Sequence, residues 1–308
     1  MQTKKNMAVT MGASGNMAFA VANVLMGLKK HSPDLANDII IFQQDMPEKD
    51  MQLMQTILPC KFIEYNFKGT MDEEHFGRFT PVAFSRYECF DMLDEYKKVV
   101  WLDIDILIQK DITEMCKDTQ TGICFSQGYY PVWTVFKHKF ECEYDLDRNY
   151  YDSGTFIIQD TMPHYREISN WLYEKTIKYA ELLHLPDQAI INIMFQAFNL
   201  DITKLDREVY VCHPTHERAN EAVILHSYGC EKFWNYFTQF KEWNENNKQW
   251  LKMGGTPYKG YKAPWIFKQT RKIFPDAPNP LRQTGKFLKY LGRKIKNSLN
   301  SKLRNESN

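Results

Sequence analysis

The sequence lacks the cysteine patterns of disulfide-bonded and zinc-binding proteins. Its 7 cysteines are odd in number, and no two of them form a C-x-x-C pair. Secreted disulfide frameworks use paired cysteines, and many structural zinc sites use C-x-x-C spacing. We therefore expect reduced thiols and a cytoplasmic protein.

Long apolar runs are also missing. No segment of the sequence reaches the roughly 18–20 consecutive apolar residues that a membrane span needs. The amino terminus resembles a signal peptide in carrying Lys4 and Lys5 ahead of a mildly apolar stretch. However, Gly12, Gly15 and Asn23 interrupt that stretch, and no small-residue cleavage site follows it. We expect the protein not to be exported.

Acidic residues are scarce at one end of the chain only. Residues 1–245 contain 24 Lys and Arg against 36 Asp and Glu, whereas residues 246–308 contain 15 against 2. The formal net charge of +1 therefore hides an acidic body and a basic end. A basic end favours an anionic partner, either a membrane surface or a nucleic acid.

The first part of the chain alternates between strand and helix patterns. Strand-like segments at 7–11, 39–42 and 61–65 are separated by helix-like segments at 17–30 and 51–57, and the small residues at 12–16 predict a tight loop after the first strand. This alternation predicts an α/β fold with a parallel sheet and helices on its faces. The hydrophobic fraction of 44% is typical of a folded domain. In such sheets, ligands bind beyond the carboxyl ends of the strands.

Two carboxylates stand inside the most apolar strand-like stretch, residues 99–108. This stretch predicts one buried strand, along which Asp103 and Asp105 face the same way and Ile104 faces the other. Two aligned carboxylates at a sheet edge can hold a divalent cation and, through it, a phosphate. The alternative is a strand followed by an acidic turn with no ligand.

Other polar residues follow predicted strands or begin predicted helices. Arg86 lies on a helix predicted over residues 79–93 and is either a clamp for sugar or phosphate or a plain surface cation. Asp152-Ser153-Gly154 forms a small-residue turn before an apolar strand, where glycine permits close approach of a ligand.

Two more candidates come later in the chain. Asp187 and Gln188 follow Pro186 at a predicted helix start, where Asp187 faces the crevice or merely caps the helix. His226 ends a short strand, and Lys232 lies six residues later. Such a histidine is often structural, but it can also complete a metal site.

Together these segments resemble glycosyltransferase family 8, a family of retaining enzymes that use nucleotide sugars. The resemblance covers roughly residues 7–250. It rests on three motifs in the right order: Leu102-Asp103-Ile104-Asp105, Asp187-Gln188 with Asn192 downstream, and His226, Gly229, Lys232 and Trp234. It implies a GT-A (Rossmann-like) nucleotide-sugar-binding domain with a mostly parallel central sheet.

The resemblance also implies a role for each candidate residue. Asp103, Asp105 and His226 would bind Mn²⁺, and Lys232 would contact the diphosphate of a UDP-hexose donor. The residues around the donor sugar would be Arg86, Asp103, Asp152, Ser153, Gly154 and Asp187. Gln188 would lie beside the anomeric carbon. Together with Asp187, it is the catalytic candidate.

Three segments depart from the family pattern. The family usually opens with an acidic pair followed by Asn-Tyr that grips the base and ribose, but this chain has Ala13-Ser14-Gly15-Asn16-Met17. The usual Asn-Ala-Gly is Asp152-Ser153-Gly154, and the acidic residue that commonly follows Asp-Gln is Ala189. The metal residues are retained, which favours an active but divergent enzyme.

The basic end carries an amphipathic pattern. Leu288, Leu291, Ile295, Leu299 and Leu303 recur at helical spacing within 281–308, among 8 Lys and Arg. This is typical of an interfacial helix on anionic lipid, although a disordered tail is the alternative. We expect a glycosyltransferase domain at 1–250 and a basic helical extension at 251–308. The extension would place the protein on the cytoplasmic face of the inner membrane.

The sequence therefore favours a hexosyltransferase that acts on a saccharide or lipid-linked glycan acceptor, such as bacterial lipopolysaccharide. An inactive relative that binds glycan or nucleotide is one alternative. A nucleotidyltransferase is another, but it should carry a basic glycine-rich loop after the first strand, and residues 12–16 contain no basic residue. We expect no nucleic-acid partner, because a nucleic-acid enzyme would not explain Asp187-Gln188 or the His226 segment.

Overall fold

The structure is a computed structural model of the 308-residue chain. It describes residues 3–35, 38–76, 80–237, 239–265, 268–269, 273 and 284–305. In these ranges the strands are β1 (Lys5–Ser14), β2 (Ile39–Gln44), β3 (Cys60–Glu64), β4 (Tyr96–Leu102), β5 (Ile106–Ile108), β6 (Ile123–Pro131), β7 (Asn149–Gln159), β8 (Thr203–Leu205) and β9 (Ile224–His226).

The α-helices alternate with these strands through much of the chain. They are α1 (Ala18–His31), α2 (Glu48–Ile57), α3 (Glu73–Phe76), α4 (Glu88–Asp91), α5 (Tyr165–Lys178), α6 (Pro186–Ala197), α7 (Arg207–Tyr210), α8 (Lys241–Lys252) and α9 (Thr284–Asn305). Pro186 at the first position of α6 confirms the predicted helix start.

The central sheet has seven strands in the order β3-β2-β1-β4-β7-β6-β8. Strands β3, β2, β1 and β4 are mutually parallel, β7 is antiparallel to both of its neighbours, and β8 is parallel to β6. The predicted α/β fold with a mostly parallel sheet is confirmed. The chain runs outward from β1 to β3 and then returns to β4 on the other side of β1. This reversal opens a crevice at the carboxyl ends of β1 and β4.

Apolar side chains of the sheet pack on both of its faces. Along β4, Val100 and Leu102 join the cluster beneath α1, α2 and α8, whereas Val99 and Trp101 join the cluster beneath α5 and α6. This alternation follows from the two-residue period of a strand. Both faces of β4 are buried, so the strand is held rigidly up to its carboxyl end.

The stretch 99–108 is not one strand, and this prediction was wrong. Strand β4 ends at Leu102, the chain turns through 103–105, and β5 pairs antiparallel with β9 in a separate two-stranded sheet. The Asp105 carbonyl accepts hydrogen bonds from the backbone N–H and the hydroxyl of Ser227, at 2.9 Å each. The two aspartates therefore converge through a turn and not through strand alternation.

The prediction of one helix over 79–93 also needs correction. Residue 79 lies outside the described residues, and Pro81–Tyr87 forms a 3₁₀ helix that leads into the short α4. The Ser85 hydroxyl donates to the Val82 carbonyl, and the Arg86 Nε donates to the Ala83 carbonyl. These two side-chain bonds satisfy carbonyl groups of the 3₁₀ helix.

Two predicted loops belong to strands. Strand β1 continues to Ser14, although 12–16 was expected to form a loop. Similarly, Asp152-Ser153-Gly154 lies within β7 and not in a turn before it. In both cases pairing with neighbouring strands outweighs the turn preference of small residues.

In the described part of the chain, no helix is long and apolar enough to span a membrane.

Candidate active site

Three metal-ligand side chains meet where β4 ends and β9 ends. Ligand atoms of Asp103, Asp105 and His226 all lie within 4.8 Å of one another. The His226 Nε2 is 3.1 Å from Asp105 Oδ1 and 3.6 Å from Asp103 Oδ2. The antiparallel pairing of Ile106 with His226 fixes this geometry, because it sets the imidazole beside the turn that carries both carboxylates.

Gly154 of β7 allows the His226 ring and the Asp103 carboxylate to lie this close to the strand. A Cβ at this position would overlap the His226 ring and lie 2.9 Å from Asp103 Oδ2. The Gly154 carbonyl also accepts a hydrogen bond from the Asp103 backbone N–H at 2.7 Å. The glycine therefore lets the histidine and the aspartate pack against the strand backbone.

The three groups have strongly altered pKa values. Burial raises the pKa of Asp103; Arg86 opposes this shift and Asp105 adds to it. Burial alone would also raise the pKa of Asp105. The positive charges of Lys232 and His226 outweigh burial and hold the pKa of Asp105 well below its usual range. Burial alone would lower the pKa of His226, but the surrounding carboxylates raise it. Burial and close opposite charges thus perturb all three pKa values, which is common at functional sites.

Arg86 holds together one side of the site. Its guanidinium lies 2.7 Å from Asp187 Oδ2 and 3.0 Å from Asp103 Oδ1, and it donates to the Ser153 carbonyl and hydroxyl. The guanidinium also stacks over the Trp101 ring at 4.9 Å. Arg86 is buried, so it is not the plain surface cation of the alternative interpretation.

Helix α6 brings Asp187 and Gln188 to the same cavity. Asp187 accepts a hydrogen bond from the Ser153 hydroxyl at 2.8 Å. Asn192, one turn later, accepts from the Tyr151 backbone N–H and donates to the Tyr151 carbonyl, at 2.6 and 2.8 Å. This pair of bonds fastens α6 to β7 and fixes how far Gln188 reaches into the cavity.

Lys232 lies on the opposite side, beside Asp105. Its ammonium group donates to Asp105 Oδ2 and to the Ser227 carbonyl. The backbone N–H of Lys232 donates to the Asn235 side chain at 2.8 Å, which fixes the turn after β9. A cation in this position can contact the same anionic ligand as a metal held by Asp105.

The negative charge of Asp152 has a counterion. Arg207 at the start of α7 lies 3.4 Å from Asp152 Oδ2, and both side chains are nearly buried. The guanidinium of Arg207 also stacks over the rings of Tyr129 and Tyr228. Asp152 replaces the family's usual Asn, and the negative charge that it adds is paired with Arg207 from a distant segment.

One cavity of about 420 Å³ lies at the centre of this arrangement. Its lining includes all ten candidate site residues predicted from the sequence: Arg86, Asp103, Asp105, Asp152, Ser153, Gly154, Asp187, Gln188, His226 and Lys232. The lining also includes residues that were not predicted as site residues: Leu185, Tyr228, Gly229, Cys230, Trp234, Asn235 and Tyr258. The family motif already contained Gly229 and Trp234. By contrast, no spacing pattern marked Tyr258 or Arg207.

The Asp–Asp–His group fits a divalent cation. Carboxylate oxygens and an imidazole nitrogen are common ligands of divalent metals in proteins. Among the described residues, the buried His226 Nδ1 has no hydrogen-bond partner and lies 3.9 Å from Asp152 Oδ1. A ligating histidine commonly directs its second ring nitrogen toward a carboxylate. Asp152 therefore stands where such a partner would be needed.

A sequence model of glycosyl transferase family 8 matches residues 8–238. The chain belongs to glycosyl transferase family 8. A search among curated proteins finds no match to the sequence.

Solved structures of glycosyltransferases share this fold. The galactosyltransferase LgtC, solved with donor and acceptor sugar analogs, is 15% identical with a TM-score of 0.59, over 80% of this chain and 99% of its own. The bifunctional glycosyltransferase WbbM is 13% identical with a TM-score of 0.62, over 82% of this chain and 52% of its own. GlyE of Streptococcus pneumoniae is 17% identical with a TM-score of 0.53, over 84% and 66%.

Proposed function

We propose that this family 8 glycosyltransferase moves a hexose from a UDP-sugar to a saccharide or lipid-linked glycan, with retention of anomeric configuration. One observation chiefly supports the proposal. Ten candidate residues from separate parts of the sequence line a single cavity. The cavity volume of about 420 Å³ lies in the range of small-molecule sites. The crystal structure of LgtC holds donor and acceptor sugar analogs, which is consistent with sugar substrates here.

Asp103, Asp105 and His226 would hold Mn²⁺. When bound, the metal supplies positive charge to the diphosphate oxygens as the bond to the anomeric carbon breaks. Lys232 adds a second positive charge on the same side, because its ammonium already contacts Asp105. Charge stabilisation of a leaving diphosphate is the largest effect that such a site can provide.

The other residues would hold the donor sugar. Asp187 and Asp103 are fixed by Arg86, so their oxygens are ordered before a sugar binds. Gln188 lines the cavity from the first turn of α6, next to Asp187. We place the Gln188 amide beside the anomeric carbon, where it assists attack by the acceptor hydroxyl on the same face that the diphosphate leaves.

Release of UDP from a panel of UDP-hexoses tests this function. We expect release with MnCl₂ and none with a chelator. Asp105→Ala should abolish release, and Glu114→Ala, which changes a surface carboxylate outside the cavity, should not. NMR should find an α-linked product from an α-linked donor. Metal-independent release, or full activity in Asp105→Ala, would contradict the mechanism. Tight UDP binding with no turnover would favour the inactive relative.

We further propose that residues 281–308, at the end of the basic extension, dock the enzyme on the cytoplasmic face of an anionic membrane. Helix α9 supports this proposal, since Leu288 and Ile295 are 62% and 60% exposed among Lys286, Lys289 and Arg293. Residues 281–283 and 306–308 of the predicted helix, and the side chains of Leu299 and Leu303, lie outside the described part of the structure. Each basic residue near anionic lipid contributes about 1 kcal/mol.

Sedimentation with lipid vesicles tests the membrane proposal. The full chain should bind vesicles that contain phosphatidylglycerol and not neutral vesicles. Deletion of 281–308 should abolish this binding and leave UDP release unchanged. Equal binding by the shortened chain would end the proposal.

A further inference from the structure

The cavity has an aromatic wall that the mechanism above does not use. Trp234, after Lys232, and Tyr258, beyond α8, both line the cavity. Their rings lie 6.0 Å apart and both pack against Phe19 at 5.3 Å. Phe19 is the second residue of α1, which begins where β1 ends. The aromatic wall therefore adjoins the crevice at the point where the strand order reverses.

Different charged groups lie beside the two aspartates of the cavity. Arg86 and Asp187 lie beside Asp103, and Lys232 lies beside Asp105. Trp234 comes two residues after Lys232, so the chain sets one ring of the aromatic wall next to the lysine. In a nucleotide sugar, the ribose and base likewise follow the diphosphate that Lys232 would contact.

Tyr258 is held in place by its own segment, residues 253–263, which we call the strap. The Thr256 carbonyl accepts a hydrogen bond from the Trp250 indole, and the Thr256 N–H donates to the buried Asp50, at 2.9 and 3.0 Å. On the other side, the Ala263 N–H donates to the Asn235 carbonyl at 2.9 Å. A Cβ at Gly260 would overlap the Tyr258 ring, so the strap folds closely over that ring.

The amino-terminal segment 13–17 cannot supply an aromatic ring to the cavity. Residues 13–17 contain no aromatic and no acidic side chain, and none of them lines the cavity. An aromatic face is the usual protein partner of a nucleobase, because every base presents a π-face for stacking. The strap supplies that face from outside the segment 8–238 that the family model matches.

We propose that Tyr258 stacks on the base of the donor nucleotide and that the aromatic wall is the nucleobase subsite of this enzyme. This proposal rests on the proposed function, since it assumes a nucleotide-sugar donor. It assigns to the strap a binding role that the amino-terminal loop of this chain cannot perform.

Calorimetric titration with two probes, UDP and inorganic pyrophosphate, tests the proposal in buffer with MnCl₂. Tyr258→Ala should weaken UDP binding by at least about tenfold and leave pyrophosphate binding unchanged. Tyr258→Phe keeps the ring and should bind UDP within about twofold of the unmodified chain. Tyr261→Ala is the matched control, because Tyr261 belongs to the same strap but is 61% exposed and outside the cavity.

The outcomes separate the two proposals. Unchanged UDP binding in Tyr258→Ala would overturn the nucleobase subsite and leave the transferase function standing. Equal losses of UDP and pyrophosphate binding would also overturn it, because Tyr258 would then support the whole cavity. If the unmodified chain binds neither probe, the proposed function itself fails, and the subsite with it.

Discussion

The two ends of the cavity are built by different interactions. The polar end, around Arg86, is fixed by buried ion pairs and hydrogen bonds among β4, β7 and α6. The aromatic wall, at Trp234 and Tyr258, is fixed by ring packing and by a strap tied through backbone hydrogen bonds. Breaking a buried charge network leaves an unpaired charge in the cavity, whereas removing a ring from the wall leaves no charge unpaired. Substitutions should therefore affect stability and chemistry at the first end and mainly affinity at the second.

The largest effect is expected from Arg86→Met. The substitution leaves the buried Asp187 and the nearby Asp103 without their counterion, which typically costs about 3–5 kcal/mol. Urea denaturation should measure this loss. Arg166→Met is the matched control, because Arg166 pairs with Asp94 at the surface and such pairs contribute about 0–1 kcal/mol. Equal losses in the two variants would contradict the difference between the ends.

A smaller effect is expected from Asn192→Ala. The variant loses three hydrogen bonds, two of them to the Tyr151 backbone, and leaves a buried N–H and carbonyl unpaired at a cost of about 1–3 kcal/mol. Because α6 then loosens at Gln188, kcat should fall more than KM rises. The measurement is steady-state UDP release.

Gln196→Ala is the control for Asn192→Ala. Gln196 bridges the backbone of Asp145 with the same pair of amide hydrogen bonds, but at an exposed site. Its loss should leave kcat unchanged. A kcat that falls equally in both variants would mean that Asn192 does not position the catalytic end of α6.

The smallest effect is expected from Trp250→Phe at the aromatic end. The variant loses the indole hydrogen bond to the Thr256 carbonyl, worth about 1 kcal/mol, and leaves a void beside the smaller ring in the buried core. Both changes relax the strap that carries Tyr258. UDP affinity should fall by about two- to threefold while kcat is unchanged, because stacking is weakened and not removed. Trp265→Phe serves as the control, since Trp265 is 73% exposed. A fall in kcat in Trp250→Phe would contradict the expectation that the aromatic wall mainly affects affinity.

The polar end could be predicted in part from the sequence, because Asp103 follows a strand and Asp187 lies in the first turn of a helix. Parallel strands end at one edge, so Asp103 and the residues after other strands were expected to meet. The path of the chain between them could not be predicted. Residues 99–108 are apolar on both sides of Asp103 and Asp105, and the hydrogen bonds that turn the chain come from Ser227, more than a hundred residues away.

Tyr258 and Arg207 could not have been found in the same way. Each reaches the site through tertiary packing: Arg207 beside Asp152, and Tyr258 against Phe19. No local pattern distinguishes a tyrosine in a loop that returns to the cavity from one that faces water. Tyr261, three residues later, is an example of the second kind.

The central claim is that Asp103, Asp105 and His226 form one metal site. Titration of Mn²⁺ into the full chain, followed by the loss of the free-ion signal in electron paramagnetic resonance, tests it most directly. One Mn²⁺ should bind per chain in the presence of UDP, and none should bind to Asp105→Ala. Unchanged stoichiometry and affinity in Asp105→Ala would contradict it.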